Sequence, residues 1–543
     1  MLGFTGTFRL LRLALRRDRV KLPAWILALT TVFAFNVPAV ISFYGDNVQD
    51  RINYAANMAP SMAGRIFGGP VNGPDIGAIV INETFIFTAI AVIFMSTLCV
   101  VRHTRQNEET GRSELIGSAI IGRNASLGTA LIVTIGANIL LSALIALASI
   151  LEGLPVAGSI GMAAALGAIG VIFAGVAAIT AQVSESARGA NSMAAIVLGV
   201  SFVIRALGDS LGNLDETKMR VVSSWISWLS PLGWTQQIHP FTEKNWDIFA
   251  LLAGFFVAII CTAFYLNNQR DLGRGMVSAR KGPANAPHAL LSIGGLARRL
   301  QKGILYGWSV FIVIMGVCLG LISKEFENML TENSEVKDYL ANIGGTGSFQ
   351  DVYFSAMIAI MGIVIAGYVV QALQRLRSEE SGGQLEGLLA TRVSKPGWML
   401  SHITYAFSGV IVLLLLLGLS TGLSYVAVTD AGFSEVWRVT WASLAQAPPI
   451  LAIGGLTVAT FGLFPRAVVA VSWSLFAGAL VISQFGALLK LPQFFMNISP
   501  FSHLASMPAQ PIKYLPLTIL TGVALASTIA GLVFFRQRNV TTA

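Results

Sequence analysis

The amino-acid sequence predicts an all-α integral membrane protein with twelve transmembrane helices, arranged as two parallel six-helix repeats. Three observations predict this fold: the composition, the recurrence of long charge-free runs, and polar motifs that occur twice. Of the 543 residues, 54% are hydrophobic and 12% are charged, and the mean hydropathy is +0.70. Soluble domains carry about 25% charged residues, so this composition excludes a soluble or disordered chain.

Charge-free runs long enough to cross a bilayer recur along the whole chain. A hydrocarbon core of about 30 Å needs roughly 20 apolar residues per helix. A thirteenth run, from Val221 to Thr242, is rich in Ser, Trp, Gln, Pro and His, so we interpret it as an interfacial or re-entrant segment. The twelve predicted spans lie near residues 22–45, 84–101, 124–151, 158–182, 189–212, 248–269, 303–323, 352–374, 399–426, 439–465, 467–489 and 514–535.

The basic residues predict the orientation of these spans. Segments on one side of the membrane hold 25 of the 36 Lys and Arg residues, which predicts a multi-pass protein of the cell membrane with both termini in the cytoplasm. The same asymmetry explains the net charge of +9 without a nucleic-acid partner. The opposite side is acidic between spans 7 and 8, where the sequence has Glu325, Glu327, Glu332, Glu335 and Asp338.

Three polar motifs of the first half recur in the second half. Glu108–Glu114 follows span 2, and Glu379–Glu386 follows span 8, where it aligns with one inserted residue. The three motifs have offsets of 271, 278 and 269 residues, which indicates two parallel halves of six spans each. The other two repeats are an arginine before spans 5 and 11 and a Ser-Pro pair after them, at Arg188, Arg466, Pro231 and Pro500.

The repeats predict three regions in the chain. Residues 1–269 form the first half together with an N-terminal amphipathic helix, residues 270–300 form a basic cytoplasmic linker, and residues 301–543 form the second half. In the linker we expect a flexible stretch, followed by a basic helix that lies on the inner leaflet.

The predicted N-terminal helix is amphipathic. Its arginines are spaced by 3, 4 and 3 residues and share one helical face, whereas three apolar residues lie on another face. The helix is either an ordinary positively charged anchor or an elbow that moves during function. The residues of the two faces are Arg9, Arg12, Arg16 and Arg19, and Phe8, Leu11 and Leu15.

The duplicated glutamate motifs predict a docking site for a soluble partner. Acidic residues around a glycine, in a loop that returns to the membrane, are typical of a short helix that is bent or capped at the glycine. Such a helix suits a basic groove on a partner, and the duplication suggests two copies of that partner. The alternative is that both loops are merely solvated charge.

The sequence lacks the motifs of catalysis and of metal binding. Ser381-Gly382-Gly383-Gln384 looks like the signature of an ABC nucleotide-binding domain, but no phosphate-binding G-x-x-x-x-G-K-[ST] motif occurs. The five histidines have no metal-ligand spacing, and the cysteines Cys99, Cys261 and Cys318 lie in apolar stretches and suit helix packing. We expect no catalytic residue, metal or cofactor in this chain.

Polar and aromatic residues of the predicted spans are candidates for a substrate pathway. Charged groups are costly inside a bilayer, so they indicate function by default, although residues at the ends of spans are also ordinary boundary residues. The polar candidates are Asn82, Glu83, Gln350, Asp351, Arg205 and Asp209. The aromatic candidates, which plain helix packing would also explain, are Phe85, Phe87, Phe94, Phe202, Tyr353, Phe354, Tyr368, Trp473, Phe476 and Phe485.

Taken together, the basic elbow, the two glutamate motifs, the paired arginine turns and the Ser-Pro segments resemble the permeases of type 2 ABC exporters. More narrowly, they resemble the fused twelve-span permeases of the tetronasin type, which export polyketide antibiotics. The resemblance covers essentially the whole chain, and its motifs are short.

The resemblance implies a function and a partner. The loops after spans 2 and 8 would be coupling helices against two copies of a separate ABC ATPase, which would bind ATP and Mg²⁺. A small hydrophobic substrate would cross between spans 2, 5, 8 and 11 by alternating access, and the segments around Pro231 and Pro500 would cap the outer exit. The coupling residues would be Glu108, Glu109, Gly111, Arg112 and Glu114, with Glu379, Glu380, Gly382 and Glu386.

The second half has Gly383 and Gln384 where Arg112 and Ser113 stand, so we expect two unequal coupling contacts. Two other functions stay open from the sequence. A proton-coupled secondary drug transporter also uses twelve spans in two parallel halves, although its expected basic loop after span 2 is replaced here by one that begins with glutamates. A lipid-linked enzyme or an assembly scaffold would need a catalytic constellation in a large outer loop, and the predicted outer loops are short.

Overall fold

The computed structural model describes residues 2–45, 47–271, 273–277, 284–332, 349–429, 431–485 and 492–540. The chain divides into two compact units, residues 1–282 (unit 1) and residues 283–543 (unit 2). Within the described ranges the only paired strands are β1 (Asn213–Leu214) and β2 (Val221–Val222), which are antiparallel. Nearly everything else is helical, which confirms the predicted all-α membrane fold.

Unit 1 contains the six predicted spans of the first half and several short helices between them. The predicted thirteenth run does not form a span, because it divides into β2, a 3₁₀ turn at Trp225–Leu229 and a one-turn helix. The helices of unit 1 are α1 (Thr7–Arg17), α2 (Lys21–Tyr44), α3 (Val48–Met58), α4 (Met62–Phe67), α5 (Ile76–His103), α6 (Arg105–Glu109), α7 (Arg112–Gly117), α8 (Ala125–Leu151), α9 (Val156–Val183), α10 (Ala187–Ser210), α11 (Pro231–Gln236) and α12 (Ile248–Gln269).

Unit 2 contains the helices of the second half. The acidic residues predicted for its outer loop, Glu325 to Asp338, lie outside the described side chains. The helices of unit 2 are α13 (Ile293–Glu332), α14 (Phe349–Ser381), α15 (Gln384–Leu389), α16 (Lys395–Val428), α17 (Ser434–Leu444), α18 (Ala447–Leu463), α19 (Val468–Phe485), α20 (Gln493–Met496) and α21 (Tyr514–Gln537).

Eleven helices of the described chain are long and apolar enough to cross a membrane, when α17 and α18 are counted as one crossing. The remaining predicted span, 467–489, corresponds to α19, an apolar helix of 18 residues that ends where the described residues stop. The prediction that the two halves are parallel repeats, with a linker at 270–300, stays a prediction.

Helix α14 extends to Ser381, seven residues past the end of predicted span 8, so Glu379 and Glu380 lie in its last turn and not in the loop that follows. Three further helix boundaries differ from the predicted ones. Helix α5 begins at Ile76, eight residues before the predicted span, because the Asp75 carboxylate caps it by accepting from the Gly77 N–H (2.8 Å). Asn82 and Glu83 therefore lie inside a helix instead of opening it. Helix α13 runs unbroken from Ile293, so the basic helix predicted for the linker is the first part of span 7.

The third difference is a break in predicted span 10. Helix α17 ends at Leu444, and α18 begins at Ala447, with Pro448 and Pro449 in its first turn. A proline lacks the N–H that a helix interior needs, and its ring collides with the carbonyl four residues earlier. The two prolines therefore end α17 and restart the helix.

The core of unit 1 depends on close approach between helices. The Cα of Gly170 in α9 faces the Asn138 side chain of α8, and a Cβ added to this glycine would lie 2.0 Å from the Asn138 Oδ1. A Cβ added to Gly167 would likewise lie 2.2 Å from the Ser142 Oγ. Helix pairs in membranes depend on small residues at such contacts, because lipid provides little hydrophobic drive for association.

Candidate functional site

The loop after α5 folds as two short helices joined by a glycine bend. Helix α6 ends at Glu109 and α7 begins at Arg112, and between them Gly111 has a φ of +71°. This left-handed backbone is strained for residues with a Cβ, so glycine is the residue that allows the turn. The predicted short helix bent at a glycine is therefore present in unit 1.

Glu108 lies at the centre of a network that we call the unit 1 clamp, formed by Arg105, Glu108, Gln182 and Arg270. Arg270 binds Glu108 through two hydrogen bonds, Nη2 to Oε1 at 2.5 Å and Nη1 to Oε2 at 2.8 Å. The Arg105 Nη1 donates to Glu108 Oε2 at 2.9 Å. Paired bonds between guanidinium and carboxylate are among the stronger polar contacts in proteins.

The unit 1 clamp joins the ends of three spans. Arg105 follows α5, and its guanidinium donates to the Ala181 carbonyl near the end of α9 at 2.7 and 2.9 Å. Arg270 follows α12 directly, and its Nε donates to the Gln182 Oε1 at 2.5 Å. We call the end of each unit that holds such a clamp its basal end.

A second network, the unit 2 clamp, consists of Arg377, Glu380, Phe461, Phe535 and Arg538. Arg538 follows α21 directly and binds Glu380 through Nη1–Oε1 (2.5 Å) and Nη2–Oε2 (2.9 Å). Its guanidinium lies over the rings of Phe461 and Phe535, at 5.1 and 5.0 Å. Arg377 Nη1 lies 3.6 Å from Glu380 Oε2, and Glu380 is fully buried.

The two clamps correct the predicted alignment of the repeats. The predicted alignment, with its inserted residue, matched Glu108 with Glu379 and Gly111 with Gly382. In the structure, the residue whose contacts correspond to those of Glu108 is Glu380. Gly383, with a φ of +75°, then takes the place of Gly111. A constant offset of 272 residues relates Arg105, Glu108, Gly111 and Glu114 to Arg377, Glu380, Gly383 and Glu386, with no insertion.

The predicted docking residues divide into an internal and an exposed group. The side chains of Glu108, Glu379 and Glu380 form ion pairs with arginines of their own unit. Glu379 pairs with Arg375 at 2.5 Å. Gly382 lies at the end of α14, close to the Ser378 carbonyl. The exposed residues are Glu109, Arg112, Glu114 and Glu386.

Glu109 connects the loop to the next span. Its Oε2 accepts from the backbone N–H of Ala187, the first residue of α10, at 3.1 Å. A carboxylate at this position also interacts favourably with the positive end of the helix dipole. The loop of unit 1 is therefore attached to α10 as well as to the three clamped spans.

A further buried cluster attaches α1 to α5, and it was hard to predict from the sequence. The carboxylate of Asp18, between α1 and α2, pairs with Arg102 (2.7 Å) and His103 (2.6 Å). Burial alone would raise the pKa of the Asp18 carboxyl, but the His103 hydrogen bond and the Arg102 charge lower it below its usual value. The available signal was a single acidic residue within a strongly basic stretch.

Cys99 completes this cluster. The donor atoms of Asp18, Cys99 and His103 lie within 4.8 Å of one another, a spacing at which a metal ion could be held. Both carboxylate oxygens of Asp18 are already used by Arg102 and His103, so the arrangement is an ion-pair network as it stands.

The polar pathway candidates of unit 1 hold loops in place. The Tyr54 hydroxyl lies 2.8 Å from Asn82 Oδ1 and 2.6 Å from Glu83 Oε1, and Asn82 also donates to the Gly69 carbonyl. Tyr54 belongs to α3, so these contacts attach the loop after span 1 to α5.

Arg205 and Asp209 form the predicted pair inside α10, at 3.3 Å, and both are fully buried. Asp209 accepts from the hydroxyls of Ser223 (2.7 Å) and Ser227 (3.0 Å). The Arg205 guanidinium donates to the carbonyls of α4 and lies 4.7 Å over the ring of Phe202. The pair thus holds α4 and the segment after β2 on α10, and its place in a substrate pathway stays a prediction.

The aromatic candidates also divide by exposure. Phe85, Tyr353, Phe354 and Tyr368 are buried in the cores of their units, whereas Phe202 and Phe476 are half-buried. Phe87, Phe94 and Trp473 are exposed, with Phe87 at 61%. Phe485 ends α19, and its side chain lies outside the described residues. The prediction that these aromatic residues line one substrate pathway stays a prediction.

An apolar cavity of about 500 Å³, which was not predicted from the sequence, lies between α8, α9 and α12 of unit 1. Its walls include Phe249 and Phe256 of α12, and Asn138 and Ser142 of α8. Ala164, Gly167 and Ala168 of α9 also line this cavity. An alternation of small and aromatic residues on neighbouring spans was the available signal.

Comparison with known proteins gives two findings. The chain is 36% identical, over 541 residues, to the multidrug efflux system permease protein Rv1217c of Mycobacterium tuberculosis (strain ATCC 25618 / H37Rv), and the match covers 99% of this chain and 96% of that relative. Residues 290–536 match the family described as Multidrug efflux system permease Rv1217c, C-terminal domain. The chain therefore belongs to the family of multidrug efflux system permeases.

Proposed function

We propose that this chain is the permease subunit of an ATP-driven ABC exporter that extrudes hydrophobic or amphiphilic compounds by alternating access. Two copies of a separate ATPase subunit drive it, and these subunits bind ATP and Mg²⁺. The family membership and the name of the relative support efflux of multiple drugs. The narrower resemblance to exporters of polyketide antibiotics adds large amphiphilic compounds to the proposed substrate class.

The observation that carries this proposal is the duplicated clamp. In unit 1 a glutamate of the loop after the second span is bound by the arginine that directly follows the last span. In unit 2 the bound glutamate lies in the last turn of the second span itself, next to the loop. The same arginine contacts the end of the fourth span, through Gln182 or the Phe461 carbonyl. A force on the loop therefore reaches three spans through short charged contacts.

We assign the coupling residues two different tasks. Glu108 and Glu380 transmit motion from the loop to the spans, and Gly111 and Gly383 provide the bends that present α7 and α15. The exposed side chains form the surface that contacts the ATPase. These docking residues are Glu109, Arg112, Glu114 and Glu386, whereas Glu379 and Gly382 support the end of α14.

The substrate pathway in this proposal follows the exposed aromatic residues of the spans. Phe87, Phe94 and Trp473 offer apolar surface to an amphiphilic compound. The buried aromatic candidates act through packing instead, as when Tyr368 packs directly on Gly409. Apolar surface with few polar groups is typical of sites that accept many hydrophobic ligands.

The test is affinity purification of the tagged full-length chain from its native membranes in mild detergent. We expect an ATPase subunit at about two copies per chain and vanadate-sensitive ATP hydrolysis in the purified complex. The double charge reversal E109K/E114K should remove the ATPase from the complex. The matched control E152K/E216K changes two exposed glutamates of other loops of unit 1 and should retain it.

A chain that purifies alone, and that transports drugs into vesicles in response to a proton gradient without ATP, would contradict the proposal. That result would identify the alternative, a proton-coupled drug transporter. Equal retention of the ATPase by E109K/E114K and by the control would contradict the assigned docking surface alone.

A further inference from the structure

A second cavity of about 500 Å³ lies at the basal end of unit 1, between α1 and the start of α8. One wall is apolar and consists of Leu10, Leu13 and Ala14 of α1. The opposite wall includes the hydroxyls of Ser126 and Thr129. The volume lies within the range of small-ligand sites.

Three arginines surround this cavity, and they come from two different elements. Arg16 and Arg17 belong to the end of α1, and Arg112 is the first residue of α7. Arg17 donates to the amide oxygen of Asn107 (2.5 Å), which is an uncharged partner. Among the residues that the structure describes, no carboxylate is in ion-pair contact with any of the three.

The cavity therefore has an excess of positive charge. Burial, followed by repulsion from Arg112, lowers the pKa of the Arg17 guanidinium, although Asp18 acts in the opposite direction. Asp18 itself is already paired with Arg102 and His103. A group with negative charge and several acceptor oxygens would satisfy such a site, and phosphate has both properties.

The surface beside the cavity indicates that this phosphate belongs to a lipid. Phe8, Leu13 and Leu15 of α1 are 84%, 53% and 51% exposed. An amphipathic helix with basic residues and exposed apolar side chains lies at the boundary between headgroups and acyl chains. Free phosphate would use the arginines and would leave this apolar surface without an occupant.

We propose that this cavity binds the phosphate of an anionic phospholipid, with its acyl chains along the apolar side chains of α1. The bound phosphate contacts Arg16 and Arg17 on one side and Arg112 on the other. It thereby connects the elbow helix to α7 of the coupling loop. Arg112 also belongs to the proposed docking surface, but the binding is tested on the chain without an ATPase, so its outcome does not depend on the proposed function. Only an effect of the lipid on ATP-driven transport would rest on that function.

The test is native mass spectrometry of the full-length chain in neutral detergent, titrated with dioleoylphosphatidylglycerol or dioleoylphosphatidylcholine. We expect preferential binding of phosphatidylglycerol, weakened by at least about fivefold in R16Q/R112Q. Both side chains are exposed, and Arg17 keeps its bond to Asn107, so the fold should persist. The control R9Q/R12Q removes the same charge from exposed positions of α1 outside the cavity and should change binding less than about twofold.

R112Q alone provides a second variant on a different element, and it should weaken phosphatidylglycerol binding while α1 is unchanged. Equal losses in R16Q/R112Q and R9Q/R12Q would overturn the proposal, because they would indicate a diffuse basic surface. Equal binding of the two lipids would also overturn it. Displacement of phosphatidylglycerol by inorganic phosphate at equal concentration would identify a free-phosphate site and overturn the assignment to lipid.

Discussion

The two clamps join the same three spans of their units but have different surroundings. In unit 1, Arg270 lies among polar groups, with Gln182 on one side and the Arg274 carbonyl on the other. In unit 2, the guanidinium of Arg538 lies over the rings of Phe461 and Phe535, which pack against each other. Both units therefore have the glutamate–arginine contact and the glycine bend, while the packing around them differs.

This difference predicts unequal dependence on the arginine. Without Arg270, Glu108 retains the Arg105 guanidinium and the Gly273 N–H at 3.3 Å. In unit 2 the loss of Arg538 removes hydrogen bonds of 2.5 and 2.9 Å from the fully buried Glu380, together with the cation that covers the two rings. An arginine stem also contributes packing, so its loss is more than a loss of charge.

The largest effect is expected for R538Q in unit 2. Removing one partner of a buried ion pair costs about 3–5 kcal/mol, because the remaining charge stays desolvated. We expect poor yield and a clear drop of the melting temperature in detergent, measured by tryptophan fluorescence on heating. The control R536Q changes an exposed arginine of the same helix and should leave the melting temperature unchanged.

The corresponding variant of unit 1 is R270Q. Because Arg105 still binds Glu108, we expect a smaller loss of stability, about 1–3 kcal/mol. The control is R274Q, since Arg274 contributes its backbone carbonyl to the clamp and its side chain is exposed. A loss of stability in R270Q equal to or greater than that in R538Q would contradict the predicted order of the two variants.

The smallest effects are expected at the two glycine bends. No atom lies within 4 Å of a Cβ added at Gly111 or Gly383, so G111A and G383A carry only the strain of the left-handed backbone, about 1–2 kcal/mol each. Similar losses of melting temperature in both variants would support the offset of 272 residues. The control G387A lies inside α15 with open space around it and should be neutral or slightly stabilising.

The sequence predicted the spans well because apolar runs of about 20 residues have few alternatives to a membrane helix. The predicted helix ends were wrong where a single residue sets the boundary of the helix. A search for charge-free runs stops at Glu83, although α5 begins seven residues earlier at its Asp75 cap. The Pro448-Pro449 pair was a readable signal for the break in span 10, because prolines end helices by a local mechanism.

The clamps could be predicted only in part. The glutamates and glycines were found as a repeat, but their arginine partners lie 162 and 158 residues away in the sequence. Arg270 and Arg538 were counted among the charges of the cytoplasmic side, although each directly follows the last span of its half. The alignment was one residue wrong because adjacent glutamates match in either register, and only the contacts distinguish Glu379 from Glu380.

We propose that Glu108 transmits motion from the loop to the spans, whereas Glu109 and Glu114 bind the ATPase. The most direct measurement compares E108Q with E109K/E114K in the reconstituted complex, with the amount of bound ATPase and the drug transported per ATP measured on the same sample. We predict that E108Q retains the ATPase within about twofold while transport per ATP falls about tenfold, and that E109K/E114K loses the ATPase. Loss of the ATPase from E108Q, or transport per ATP equal to that of the unmodified chain, would contradict the account.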